Sequence, residues 1–258
     1  YVGDKYEHDL DKCKQTSMGI VTKRRDNAPI VKVIFGGIID IIMKEHKIEP
    51  SIQFLKETLE KLLNGDFGLD ALVISKTLSS YYKDPDRIAH KVLADRISDR
   101  DPGNKPQIND RIPFVYINTP DNSKNMLQGD KIETPQYIKE NNLTPDYQVY
   151  ITNQIQKPVC QIYALCVEQI PGYHENIDFN TIYDKQIKMG KSQIDSTKKV
   201  LETKQKIAYD LLFRTYVRQL ENTKQGNNEI TKWFDIKPVN KKNSDPIVIE
   251  TDSESDED

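Results

Sequence analysis

Three consecutive cations, Lys23-Arg24-Arg25, are followed by Asp26-Asn27-Ala28-Pro29. A lysine offers a point charge, and an arginine offers a planar fork that fits two phosphate oxygens. Asp, Asn and Pro are residues that open helices. A helix start adds unpaired N–H groups and a partial positive charge. The run therefore has the chemistry of a compact phosphate grip; the plainer alternative is a solvated run of charge. No motif for bond-making chemistry accompanies it. His8, His46, His90 and His174 are scattered, and the chain has no G-x-x-x-x-G-K-[ST] loop and no G-x-S-x-G turn. Cys13, Cys160 and Cys166 contain no C-x-x-C pair. They read as reduced thiols of an intracellular protein, neither a disulfide framework nor zinc ligands.

The elements that must hold such a grip have to fit a particular composition. A chain of 258 residues allows one sizeable domain or two small ones. Apolar residues make up 36% and charged residues 30%, which points to an open or elongated architecture or a disordered end. The net charge of -3 is uneven. Asp245 to Asp258 holds seven acids and no Lys or Arg, which leaves 37 cations against 33 acids in residues 1–244. A mildly basic body suits a nucleic-acid partner. No stretch approaches the ~20 apolar residues of a membrane span, so no membrane partner is expected. The first residues, Tyr1-Val2-Gly3-Asp4, have no initiator Met and no signal peptide, and read as a chain cut from something longer.

Along the chain, Tyr1–Tyr6 and Met18–Val21 are expected as short strands around a polar connection. A helix follows Pro29, with Ile30, Val31, Ile34, Ile38, Ile41 and Ile42 on one face and Gly36-Gly37 allowing close packing or a bend. Ser51 is expected to cap a second helix, with Phe54, Leu55, Leu59, Leu62 and Leu63 as its apolar stripe and Asn64-Gly65 at its end. Residues 69–76 and 111–117 read as strands, and 90–98 as a short amphipathic helix. Residues 147–164 suit a helix broken at Pro158, and 192–221 one long helical stretch. Beyond Gln225 the composition is polar and the acidic end is expected to be disordered.

Several of these segments, in order, resemble family B DNA polymerases of the delta type. Lys23-Arg24-Arg25-Asp26-Asn27-Ala28-Pro29 is similar to the Arg-Arg-Asp-Asn-x-Pro segment that opens that family's thumb. Ser75-Lys76-Thr77-Leu78 resembles its Ser-Lys-x-Leu strand end, and Ala89 to Arg96 its His-Val-x-Leu-Ala-x-Arg helix. Arg100-Asp101-Pro102-Gly103 and Asp110 to Val115 resemble two further family motifs, and Tyr150 to Pro158 the segment that closes the thumb. The match covers about residues 1–165, and the wording is closer to polymerases of large DNA viruses than to cellular ones. Residues 166–224 have no clear counterpart and read as a virus-type extension.

The resemblance implies an α+β fold. Residues 1–22 would be the last strands of the palm, 23–224 a mostly helical thumb with a small β insertion and a helical extension, and 225–258 a flexible acidic tail. It implies DNA-directed DNA synthesis by the parent enzyme, at a nuclear or viral replication site. The partners are primer–template DNA, a sliding clamp and the N-terminal polymerase portion. The family's Tyr-Gly-Asp-Thr-Asp-Ser and Asp-x-x-Ser-Leu-Tyr-Pro motifs, which hold Mg²⁺, do not occur here. The metal is therefore expected in the palm upstream, with no cofactor on this chain and no activity from it alone. The metal-binding cysteine clusters that end the delta family are also absent. For DNA contact the resemblance points to Tyr1, Lys23, Arg24, Arg25 and Asn27 first, then Lys76, His90, Lys91, Arg96 and Arg111. Each of the second group has a surface charge or a core-edge ion pair as its alternative. A thumb-only DNA- or clamp-binding protein, or one subunit of a split polymerase, remains the other reading of the whole chain.

Two signals lie past the thumb. Asn227, Ile230, Trp233 and Phe234 have the spacing of a clamp-binding box, Gln-x-x-hydrophobic-x-x-aromatic-aromatic, with Asn in place of Gln. Ile230 shares a helical face with the two aromatics, which would otherwise fold back on the thumb. Ile247-Val248-Ile249, followed by acids and by Ser253 and Ser255, resembles a small-modifier interaction motif, or is simply part of a solubilising tail.

Overall fold

The computed structural model describes residues 2–7, 9–17, 26–119, 126–173 and 177–224. The fold is α+β, as expected. A two-stranded hairpin comes first, with β1 (Val2–Glu7) antiparallel to β2 (Asp9–Ser17) and Val2 opposite Ser17. The second strand thus occupies the segment expected to be a polar connection. Backbone ladder bonds are open to polar residues as much as to apolar ones, so charge did not prevent pairing. Met18–Val21 lies outside the described residues.

Helix α1 (Pro29–Glu45) follows, and Ile30, Val31, Ile34 and Ile38 form its buried face. Gly37 is the position that needs glycine: a Cβ there would come within 2.5 Å of the Phe54 ring. Helix α2 (Ile48–Asn64) begins three residues before Ser51. Ser51 is therefore not a cap. It is fully buried, donates to the Ile48 carbonyl at 2.6 Å and bonds the Tyr163 hydroxyl at 2.9 Å. Ile48 and Ile52 draw the first turn into the core and move the helix start upstream. Gly65, at φ 77°, ends α2 as expected.

The expected strand at 69–76 divides in two. Leu69–Leu72 is a 3-10 turn that buries Ala71 and Leu72, and the strand β3 is Ile74–Thr77. It pairs antiparallel with β4 (Arg111–Tyr116), Ile74 opposite Phe114 and Thr77 opposite Arg111. Strand β5 (Ile132–Glu133) adds to the other edge of β4 at Val115 and Tyr116. Pro113 therefore sits where β4 has only one neighbour, a place proline tolerates. Helix α3 (Ala89–Arg100) packs against β4 and β5 through Leu93 and Ala94. Helix α4 (Pro135–Glu140) starts with proline and is capped by Thr134, whose hydroxyl accepts from the Tyr137 amide at 3.2 Å.

From Tyr147 the backbone runs through α5 (Tyr147–Val149), a π-helical turn (Tyr150–Ile155) and α6 (Gln156–Tyr163). The chain is not broken at Pro158. The wide π turn lies just upstream, where a proline ring would crowd a normal turn and its missing N–H leaves a carbonyl unmatched. A 3-10 stretch (Ala164–Gln169) leads to α7 (Phe179–Lys188), α8 (Gln193–Leu212) and α9 (Arg214–Lys224). The expected single helix over 192–221 is interrupted at Phe213, which is fully buried. Asp178 caps α7 and Ser192 caps α8.

The described residues fall into two compact units. One takes in the described residues of 1–34 and 61–149 and holds both sheets; the other takes in 35–60 and the described residues of 150–224 and is helical. In the second, Ile38, Leu55, Leu59, Tyr150, Tyr163, Ala208 and Phe213 form the core.

Candidate nucleic-acid interface

Tyr1, Lys23, Arg24 and Arg25 lie outside the described residues, and the structure takes up the basic segment at Asp26. Asp26 and Asn27 are half-buried, with Ala28 fully buried behind them, so the segment is fixed to the body at this point. The Asp26 carboxylate accepts from Lys76 Nζ at 2.9 Å. Lys76 is the third residue of β3, held in register opposite Ile112. The strand thus delivers a cation to Asp26.

His90, the second residue of α3, stands at the same strand end. Its Nε2 lies 3.1 Å from the Tyr82 hydroxyl, which accepts from the Ser79 amide at 2.6 Å. The two rings meet edge to face, 5.8 Å apart. Partial burial and the Lys76 charge lower the His90 pKa from its ordinary value, against a hydrogen bond with the Thr77 backbone that raises it. The imidazole is therefore neutral at pH 7 and serves as a directed hydrogen-bonding group, not as a cation. Arg111 stands opposite Thr77 across the strand pair, with Nε 3.1 Å from Ser75 Oγ and a terminal nitrogen 2.9 Å from the Ser75 carbonyl. Around β3 the structure thus gathers Asp26, Lys76, His90 and Arg111. Lys91 is turned to Asp95, its ion-pair partner one turn along α3.

Arg96 is placed differently. Its guanidinium donates to the carbonyls of Ile132 at 3.1 Å and Gly129 at 2.7 Å, and to Glu133 at 2.7 Å. Arg100 binds the same carboxylate at 2.8 and 3.1 Å and lies 3.8 Å above the Tyr137 ring. Burial would raise the Glu133 pKa, but the hydrogen bonds and charges of Arg100 and Arg96 outweigh it and hold the carboxyl below its usual value. Gly129 comes so close that a Cβ would lie 2.7 Å from Val92. This node clamps α3 to β5, and Arg96 is engaged within the fold. Asp95 pairs with Lys91, and Asp110 accepts from the Gln107 amide at 2.6 Å.

Tyr82, Ser75 and Glu133 are residues that sequence reasoning missed. Tyr82 sits in a loop with no periodicity, and Ser75 was read only as part of a motif. Glu133 lies in a two-residue strand, too short to show a sequence pattern, and is buried. Asn227, Ile230, Trp233 and Phe234 lie outside the described residues. Among the described residues no three His, Cys, Asp or Glu side chains gather where they could hold a metal ion. No helix among them is long and apolar enough to cross a membrane.

The family model described as DNA polymerase family B matches residues 1–166, well over half of the chain. The chain belongs to DNA polymerase family B. The family B chain is 52% identical over 244 residues to the DNA polymerase of Pyramimonas orientalis virus, a match covering 93% of this chain and 20% of that protein. It is 44% identical over 244 residues to the DNA polymerase of Acanthamoeba polyphaga mimivirus, covering 93% of this chain and 12% of that protein. The DNA polymerase delta catalytic subunit of Caenorhabditis elegans is 34% identical over 157 residues, 60% of this chain and 14% of that subunit. The chain thus spans a fifth or less of the length of these relatives. The expectation of a viral kind of family B polymerase agrees with the higher viral identities. The viral matches leave only about 18 of 258 residues outside, so they take in α7, α8 and α9 and the segment 227–234. The cellular match, at 157 residues, cannot span both the motif region and that extension.

Proposed function

We propose that this chain is the palm end and thumb of a viral family B DNA polymerase, and that it grips primer–template duplex behind the site of synthesis. The observation that carries this reading is the Asp26–Lys76 ion pair. It ties Asp26, which follows Lys23-Arg24-Arg25 in the sequence, to β3, where His90 and Arg111 also stand. The cations would meet phosphate oxygens, with the helix start behind Asn27 adding backbone donors. Asp26 would keep Lys76 aimed while two of its three N–H groups serve phosphates. Such contacts read backbone position and shape, not base sequence. Chemistry would belong to the parent enzyme, with Mg²⁺ held by palm residues outside this chain. Asn227, Ile230, Trp233 and Phe234 would tether the parent to a sliding clamp.

Duplex binding by this chain, followed by fluorescence anisotropy across a salt series, tests the reading. Supporting it are similar affinities for unrelated duplex sequences and a log–log salt slope of several units, roughly 0.9 for each phosphate contact. A chain that binds no duplex at low salt, or one duplex sequence alone, contradicts it.

A further inference from the structure

The hairpin of α7 and α8 ends in a tip that carries both cations and exposed apolar side chains. Gly190, at φ 75°, turns the chain, and the amides of Gly190 and Lys191 donate to the carbonyls of Ile187 at 2.9 Å and Gln186 at 3.1 Å. Ser192 then caps α8: its hydroxyl accepts from the Asp195 amide at 3.1 Å and donates to the Asp195 carboxylate at 2.8 Å. The turn is thus short and fixed from both sides. On it Ile194 is 81%, Met189 64% and Ile187 40% exposed, three large apolar side chains within eight residues. Lys185, Lys188, Lys191 and Lys198 interleave with them along the chain and are exposed. Among the described residues none of these four has an ion-pair partner; the nearby pair joins Lys199 to Glu202 at 3.9 Å. Residues 185–199 hold five lysines and one acid, Asp195, which is engaged with Ser192.

Lysines in the last turn of a helix complement its dipole, which accounts for Lys185 and Lys188 alone. It leaves the apolar side chains without a reason to face water. We propose that this tip is a second contact with duplex DNA, separate from the surface around β3. The lysines meet phosphates, and Ile187, Met189 and Ile194 pack on sugars and base edges of the groove between. The inference rests on the DNA-gripping function proposed above and extends it to a part of the chain beyond residue 166, where the family match ends. Four cations without partners complement a polyanion. Interfaces between proteins are poor in lysine, whereas those with DNA are rich in positive charge. Isoleucine and methionine are also among the side chains that minor-groove binders press between base steps. A lipid surface fits less well. Residues 184–199 contain no Trp or Phe, and three aliphatic side chains bury less than one acyl chain, which by itself binds a membrane only marginally.

Fluorescence anisotropy of a labelled duplex, titrated with the full chain across a salt series, tests the contact with two sets of exposed residues. Lys185→Ala/Lys188→Ala/Lys191→Ala/Lys198→Ala should lower the log–log salt slope by roughly 1.8 or more, two contacts at roughly 0.9 each. Ile187→Ser/Met189→Ser/Ile194→Ser should weaken binding at least threefold at unchanged slope, with helical circular dichroism as in the wild type. Met189→Ser, which lies outside both helices, repeats the second test should the triple variant lose helix. Four results overturn the proposal. A lysine variant with wild-type slope, beside an Arg24→Ala/Arg25→Ala variant that binds less, would take the tip off the DNA and leave the thumb function standing. Apolar variants that bind as the wild type does would leave charge attraction without a site. Binding of the wild type to phosphatidylserine vesicles that the apolar variants lose, with duplex affinity kept, would give the tip to a lipid surface. A wild-type chain that binds no duplex at low salt would overturn this contact together with the thumb function. Loss in both tip variants but none in Arg24→Ala/Arg25→Ala would support the tip and contradict the grip at β3.

Discussion

Lys76 Nζ stands 2.9 Å from the Asp26 carboxylate, across fifty residues of sequence, and the pair is partly open to solvent. An exposed pair of this kind adds at most ~1 kcal/mol to stability. Its weight lies in what it positions, because the residue before Asp26 is the last of three cations.

Lys76→Met removes a cation and takes the ammonium group away from the Asp26 carboxylate beside the path proposed for phosphates. Duplex affinity should fall, and Asp26→Asn in the same chain should recover part of the loss by removing the repulsion. Anisotropy titrations of the wild type, both single variants and the double variant form a complete cycle. A double variant that binds no better than Lys76→Met would place Asp26 away from the DNA.

Glu133→Gln tests the clamp between α3 and β5. The amide cannot neutralise Arg96 and Arg100, and one of its two groups is a donor facing donors. Breaking a fully buried ion pair costs about 3–5 kcal/mol; solvent reaches both arginines here, so roughly 2–3 kcal/mol is expected after screening. Urea unfolding of the chain reads this as a lower midpoint. An unchanged midpoint would show that the node is dispensable.

His90 gives the chain a pH response with a defined sign. Its folded pKa lies below the ordinary value of 6.5. Well above 6.5 the ring is neutral in both folded and unfolded chains and adds no pH dependence. As pH falls from there toward the folded pKa, the unfolded chain takes up the proton first and stability is lost. His90→Gln should flatten the stability–pH curve in that window. A wild-type curve whose slope between pH 6.5 and 5 matches the variant's would contradict the assignment.

Trp233→Ala with Phe234→Ala addresses the clamp tether. Each aromatic at the centre of such a contact is worth about 2 kcal/mol or more. In the parent polymerase the double variant should make shorter products with the clamp present and be unchanged without it. Equal product lengths with the clamp would remove the tether.

The sequence made the helices legible where apolar spacing was strong: α1 and α3 appear where Ile30, Ile34, Ile38 and Leu93 put them. It misplaced what depends on tertiary contact. Ser51 has the identity of a cap, yet its partner is Tyr163, 112 residues away, and no local pattern announces that. Phe213 interrupts the long helix because its ring is buried in the core, which helix propensity does not encode. For the interface, the motifs named Lys76, His90, Arg96 and Arg111 but could not sort them. Distances separate Arg96, bound to carbonyls of Gly129 and Ile132, from Lys76 beside Asp26. Tyr82 and Glu133 were invisible because their roles exist only in the partners that folding brings to them.

The central claim is that the segment ending at Asn27 grips duplex phosphates. The most direct measurement is the salt dependence of duplex binding for Arg24→Ala/Arg25→Ala against the unchanged chain. Two lost phosphate contacts should lower the log–log slope by roughly 1.8, with affinity falling alike for unrelated duplex sequences. A slope equal to that of the unchanged chain would mean that Arg24 and Arg25 are solvated surface charge, and would contradict the account.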